Sequence, residues 1–208
     1  MVEVKSLPRP AYVYCHGGGG FALDAQSHHT YCSRIAEDND VIVFNINYRL
    51  APEYPTPAGI MDAYASLKYV HENASELNVD PERIAIVGAS GGCVMAVGCC
   101  IKLALRNESD IVKLASFEIP MTGDLYVRNN YEGMKNETER NCFQIHRMVA
   151  ALLMGKYKRS DCKDALGNIN VFPNLMEDDV AARFPKSIVW TGEFDSERRN
   201  AEELAEKL

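Results

Sequence analysis

The chain reads as an α/β fold with a mostly parallel central sheet flanked by helices. Three observations predict it. Short apolar, β-rich runs alternate with longer stretches of helical periodicity, the pattern of βαβ units. Several of those runs are apolar nearly throughout, as strands covered by helices on both faces require. Two glycine-rich segments each follow a strand directly, and one of them runs on into a helix.

Taken in order, Ala11–Cys15 is the first strand, followed by glycines and then a helix at about Ser27–Glu37. Val41–Asn45 is the second strand. The helix over Pro57–Asn73 carries Ile60, Ala63, Tyr64, Leu67 and Val70 at helical spacing, an apolar stripe to lay against the sheet. Asp80-Pro81-Glu82 is a turn before the third strand, Ile84–Val87. A helix over Ser90–Asn107 follows, then strands at Leu114–Ile119 and Ile188–Thr191 and a last helix at Glu197–Leu208. Between Met121 and Pro185 no strand pattern appears, although Glu139–Met154 is helical through Phe143, Met148, Leu152 and Leu153. That stretch is too long for a simple crossover. Residues 121–185 are therefore expected to form an insertion, a cap over the strand ends, within a single domain spanning 1–208.

With 208 residues, 47% hydrophobic and 25% charged, the chain has an ordinary globular composition and enough length for one core. A formal charge of -7 offers no basic surface, so nucleic acid is not an expected partner. No apolar run approaches the roughly 18–20 residues of a membrane span, and the N-terminus has no signal-peptide core. The cysteine count, seven, is odd, and Cys93, Cys99 and Cys100 share one helix, which suits small buried thiols better than a disulfide framework. Three short glycosylation sequons, at Asn73, Asn107 and Asn136, carry little weight without a signal sequence. A reduced, cytoplasmic setting is the expectation.

Two motifs carry chemistry. Gly88-Ala89-Ser90-Gly91-Gly92 stands between a strand and a helix, the context that a G-x-S-x-G nucleophile elbow demands. Small neighbours let strand and helix approach at such a turn, and the helix N-terminus favours negative charge developing near Ser90. A Walker loop is excluded by the absent Gly-Lys-Ser/Thr, and G-x-G-x-x-G is not matched. Upstream, His16-Gly17-Gly18-Gly19-Gly20 follows the first strand. Glycines there allow the Gly17 and Gly18 amides to point at a substrate oxygen, with Gly91 as third donor. His16 precedes the glycines and is read as a residue that braces the loop.

These motifs, together with Tyr48-Arg49-Leu50-Ala51-Pro52-Glu53-Tyr54-Pro55, Val79-Asp80-Pro81-Glu82-Arg83-Ile84-Ala85 and Thr191-Gly192-Glu193-Phe194-Asp195, resemble the hormone-sensitive-lipase-like esterases. That α/β-hydrolase family also contains arylacetamide deacetylases and gibberellin receptors, and the likeness runs in order from about Pro10 to the C-terminus. The resemblance implies an α/β-hydrolase fold and a serine carboxylesterase or deacetylase working through an acyl-enzyme. It implies Ser90 as nucleophile, Asp195 as triad acid with Glu193 in reserve, and Gly17, Gly18 and Gly91 as the oxyanion hole. A small ester or acetylated amine is the substrate class it implies, with no metal or organic cofactor.

The chain also departs from that pattern. The family motif Gly-Asp-Ser-Ala-Gly-Gly has Ala89 for its aspartate here and Cys93 for its last glycine, and Gly20 stands where an aromatic usually follows. No histidine follows Asp195, where the resemblance places the base; the histidines present are His16, His28, His29, His71 and His146. His146, in the insertion, is the one that could overhang the site. Compared with a full family member, the chain is expected to be incomplete at both ends and, by itself, inactive. Its outer strands would then be open sheet edges, which invite homodimer pairing or aggregation. The alternative reading is a catalytically inactive homologue that binds a ligand in the same pocket.

Overall fold

The computed structural model describes residues 7–124, 147–156 and 168–208. Its centre is a five-stranded sheet in which every pairing is parallel. The strands are β1 (Arg9–Cys15), β2 (Ile42–Ile46), β3 (Val79–Ala89), β4 (Leu114–Glu118) and β5 (Ser187–Trp190), in spatial order β2-β1-β3-β4-β5. The helices are α1 (His29–Asn39), α2 (Ala58–Glu72), α3 (Gly92–Arg106), the single turn α4 (Asp178–Ala181) and α5 (Arg198–Lys207).

Side-chain alternation along β1 sorts the core into two faces. Ala11, Val13 and Cys15 join the main cluster, whereas Tyr14 packs with Cys32 and Val87 in a smaller one, with Tyr12 beside them. The main face is built by α2 and α3, and α3 buries almost every side chain it has, from Cys93 to Ala104. These helices meet at Gly98, where a Cβ would stand 2.7 Å from Ile60 Cδ1. Small residues thus set how closely the helices approach. Leu67 and Leu103 are fully buried in this layer, each contributing roughly 1.5–3 kcal/mol. The smaller face is covered by α1, whose buried residue is Cys32. Asn107, at φ 57°, and Asp40, at φ 51°, end α3 and α1 in the left-handed conformation that asparagine and aspartate tolerate better than most residues.

The expected elements are all present among the described residues, with ends displaced by a few positions. The largest shift is in β3, which begins at Val79 instead of Ile84. Arg9 pairs with Val79, and the register then slips before Ala11 pairs with Ile84. The predicted Asp80-Pro81-Glu82 turn is therefore an irregularity inside the strand, tightened by the Glu82 N–H donating to Asp80 Oδ1 at 3.0 Å. The helix expected from Ser90 starts at Gly92, which leaves the serine on the turn itself. Of the expected insertion, residues 147–153 are helical. Residues 139–146, including His146, lie outside the described residues.

Cys15, Cys32, Cys93, Cys99 and Cys100 are free and buried, as expected for core thiols. Burial pushes the Cys15 thiol up to about 12, so it stays protonated and inert. The outer strands are β2 and β5. A groove of about 910 Å³ lined by Phe44, Asn47, Arg49, Asp62 and Tyr69 runs beside β2, and none of its walls comes from the glycine motifs. Among the described residues, no helix is long and apolar enough to cross a membrane.

Candidate active site

All five strands are parallel, so the segments leaving their C-terminal ends gather at one edge of the sheet. Residues 16–20 leave β1, Ser90 leaves β3, residues 119–124 leave β4 and Asp195 lies beyond β5. The chain runs from β1 outward to β2 and then returns to place β3 on the other side of β1. The β1–β3 boundary is therefore the topological switch point, where open α/β sheets form their ligand crevice. Both glycine motifs flank it.

Ser90 has φ 51°, left-handed for a residue with a side chain, and is held there from both sides. Its N–H donates to Glu118 O at 2.8 Å, and its carbonyl accepts from Cys93 N at 2.9 Å. Packing requires the glycines around it. A Cβ at Gly88 would lie 2.7 Å from Cys93 Cα, and one at Gly92 would lie 2.2 Å from Cys15 O. A Cβ at Gly91 would come within 2.4 Å of Gly19 Cα, so the elbow and the glycine loop touch backbone to backbone. The Ser90 hydroxyl donates to Met121 Sδ at 3.4 Å.

The glycine loop turns through left-handed Gly18, Gly19 and Gly20 at φ 114°, 65° and 77°. The Gly18 carbonyl accepts from the amides of Phe21 and Ala22 at 3.2 and 3.0 Å, closing the turn. Among the described residues, the amides of Gly17, Gly18 and Gly91 are committed to no hydrogen bond. Leu153 packs on this loop from above: a Cβ at Gly20 would lie 2.7 Å from Leu153 Cδ2.

His16 is fully buried beneath the loop. Its Nδ1–H donates to Gly17 O at 2.7 Å and its ring stacks on Tyr48 with centroids 4.3 Å apart. The Tyr48 hydroxyl donates to His16 O at 2.6 Å. Burial pushes the imidazole below its ordinary range, which keeps it neutral. These contacts match the bracing role expected of His16.

His28 is a neighbour that sequence reasoning placed only after the glycines. Its Nδ1 pairs with the Tyr14 hydroxyl at 2.9 Å. A Cβ on Gly17 would lie 3.7 Å from His28 Cε1 and 3.6 Å from Ser90 Cβ, so this ring borders the site. Met121 and Tyr14 were missed as well, since no motif marks them, and Tyr48 was quoted only as the start of the Tyr48–Pro55 segment, with no role.

Asp195 sits in a tight turn between β5 and α5, half-buried. Its Oδ1 accepts the Glu197 N–H at 2.7 Å, and its N–H donates to Gly192 O at 3.2 Å. Glu193, the reserve acid, is exposed. With β4 between β3 and β5, the Ser90 and Asp195 strands lie two strand spacings apart, about 10 Å.

Behind Asp195 is a buried carboxyl. Glu197 is 5% exposed, and burial pushes its pKa up to about 8, with the Asp195 charge adding to the rise and a hydrogen bond from Asn200 opposing it. A carboxyl raised in the fold binds its proton more tightly when native than when unfolded. Its stabilising effect is complete below the ordinary glutamate range and is lost as pH rises toward 8. His16 has the opposite sign, since lowering its pKa adds stability as pH rises to 6.5. Between about pH 6.5 and 8, Glu197 therefore dominates, at up to roughly 1.4 kcal/mol per pH unit. Urea unfolding is expected to show that decline in the wild-type chain and a flatter profile in Glu197→Gln. A profile unchanged by the substitution would show that Glu197 ionises freely.

A family model described as alpha/beta hydrolase fold matches residues 12–208. The chain belongs to the α/β-hydrolase fold family. Among its relatives in that family, carboxylesterase NlhH of Mycobacterium tuberculosis is 47% identical over 89 residues, 42% of this chain and 28% of NlhH. Ethyl acetate hydrolase of Pseudomonas putida is 34% identical over 117 residues, 56% of this chain and 37% of that one. Human arylacetamide deacetylase-like 3 is 34% identical over 92 residues, 44% and 23% of the two chains. The thermostable carboxylesterase EstE1, from a metagenomic library, superimposes with a TM-score of 0.79 at 28% identity, covering 98% of this chain and 66% of EstE1. The matched stretch thus spans 23–37% of these curated relatives and 66% of that α/β-hydrolase structure. The expected kinship with hormone-sensitive-lipase-like esterases is borne out.

Proposed function

We propose that this α/β-hydrolase carries the nucleophile, oxyanion and acid parts of a serine carboxylesterase. Ser90 attacks the carbonyl carbon of a small ester or acetylated amine, and the amides of Gly17, Gly18 and Gly91 hold the oxygen that gains negative charge. The alcohol or amine leaves with a proton, and water then releases the acyl group from Ser90. Asp195 orients an imidazole that moves the proton in both halves of the reaction. The observation that carries this reading is Ser90 at φ 51° on the β3–α3 turn, with Gly91 packed on Gly19.

Among the described residues, no imidazole hydrogen-bonds Ser90, and no histidine follows Asp195 in the 208 residues. The same reading therefore expects negligible turnover of p-nitrophenyl butyrate by these residues alone, at least about 10³-fold below an intact triad. With imidazole added to supply the base, it expects a fluorophosphonate to lose fluoride and add one phosphonyl group, mapped to Ser90 by mass spectrometry. Absence of an adduct at Ser90 would overturn the assignment of the nucleophile. Ordinary esterase rates abolished by Ser90→Ala would keep the esterase and overturn the missing base. The second reading is a ligand-binding homologue without catalysis. Tight reversible binding of an ester without acylation would support it.

A further inference from the structure

We propose that Glu197 is a positioning residue: with Asn200 it forms a buried clamp that holds the Asp195 turn against the segment following β4. The clamp is read from geometry alone; its bearing on catalysis rests on Asp195 being the acid proposed above. Asn200 is fully buried and its Nδ2–H donates to Glu197 Oε2 at 2.6 Å. The Asn200 carbonyl accepts from Asn174 Nδ2 at 3.0 Å, and the Asn174 N–H donates to Thr122 O at 3.1 Å. Glu197 N–H, in turn, is the donor that holds Asp195 Oδ1. One connected path therefore runs from the acid through Glu197, Asn200 and Asn174 to the strand end beside Ser90.

The fit against that segment is close. A Cβ at Gly123 would stand 2.3 Å from Asn200 Oδ1 and 3.0 Å from Asn174 Nδ2, so a larger residue there would have to displace these amides. Thr122 is fully buried alongside, and Asp124 is 5% exposed. The charged group that acts on Glu197 is Asp195 in its own turn. The 173–175 turn brings Asn174, while Arg198 and Arg199 on α5 are exposed. An ionised Glu197 would thus be repelled by the Asp195 carboxylate beside it. The clamp works with Glu197 neutral, in keeping with the upward shift that burial imposes on it.

Hydrogen exchange tests this without requiring turnover, so a failed esterase reading would leave the result intact. Amide protection is measured over residues 191–200 and, as an internal reference, over β3, at about pH 7 and pH 9 and corrected for intrinsic exchange. In the wild-type chain, protection over 191–200 is expected to fall by about tenfold at the higher pH while β3 holds. Glu197→Gln, which mimics the neutral carboxyl, is expected to keep protection at both pH values. Glu197→Ala is expected to show low protection at both. Equal protection at the two pH values in the wild type, or a glutamine variant as loose as the alanine one, would overturn the proposal. A parallel loss over β3 would overturn it as well, by showing global unfolding instead of release of the acid turn.

Discussion

Gly92→Ala is expected to destabilise the protein by more than about 3 kcal/mol, the range of severe packing defects. The reason is the position of the neighbours. A methyl at residue 92 would lie 2.2 Å from Cys15 O and 2.4 Å from His16 O, both backbone atoms at the end of β1. Neither can move alone, because Tyr14 and Cys15 pair with β2 and β3 along both sides of the strand. Shifting α3 outward would instead loosen its buried face against the sheet. Urea denaturation of the purified variant measures the cost. The control is Gly192→Ala, where a Cβ meets Asp195 Cβ at 3.6 Å, an ordinary contact. That variant is expected to stay within about 0.5 kcal/mol of wild type. Equal stability of the two would mean that the α3–β1 contact yields far more readily than its backbone partners suggest.

Ser90→Ala is expected to abolish the phosphonyl adduct, and Ser90→Gly to abolish it while making the protein more stable. The two replacements remove the same hydroxyl and differ in backbone freedom. Alanine keeps the Cβ that makes φ 51° unfavourable, whereas glycine adopts such angles without that penalty. The glycine variant is expected to exceed the alanine variant by about 1 kcal/mol in urea unfolding. That is the lower end of the range for a strained residue, because glycine also gains entropy in the unfolded chain. Strain relieved on losing the nucleophile is the signature of a turn shaped for reactivity. If glycine were the less stable of the two, the left-handed angle at Ser90 would not be a source of strain.

The two predictions turn on neighbouring residues but on different information. Gly88, Ser90 and Gly92 stand out in the sequence because a strand must turn sharply into a helix within a few residues, and that turn has a recognisable composition. The same holds for the parallel strands: continuous apolar runs such as Ile84–Val87 have no exposed face and need no distant information to be recognised. Element ends were less legible. Nothing local in Val79–Arg83 reveals that it pairs with Arg9, since that register depends on where another strand lies.

The turn that carries Asp195 was singled out by the family resemblance, whereas local patterning was enough for the α/β architecture and the two glycine motifs. Each of these follows from neighbours a few residues apart. Packing in three dimensions was needed to bring Gly19 onto Gly91, to stack His16 on Tyr48, and to set His28 and Met121 beside Ser90. It also turned Glu197, one acidic residue among several near the C-terminus, into a buried carboxyl behind Asp195. The physical reason is that burial and charge are properties of an environment. A carboxylate on an exposed helix start is solvated and ionised; the same group packed against Asn200 and the segment after β4 holds its proton.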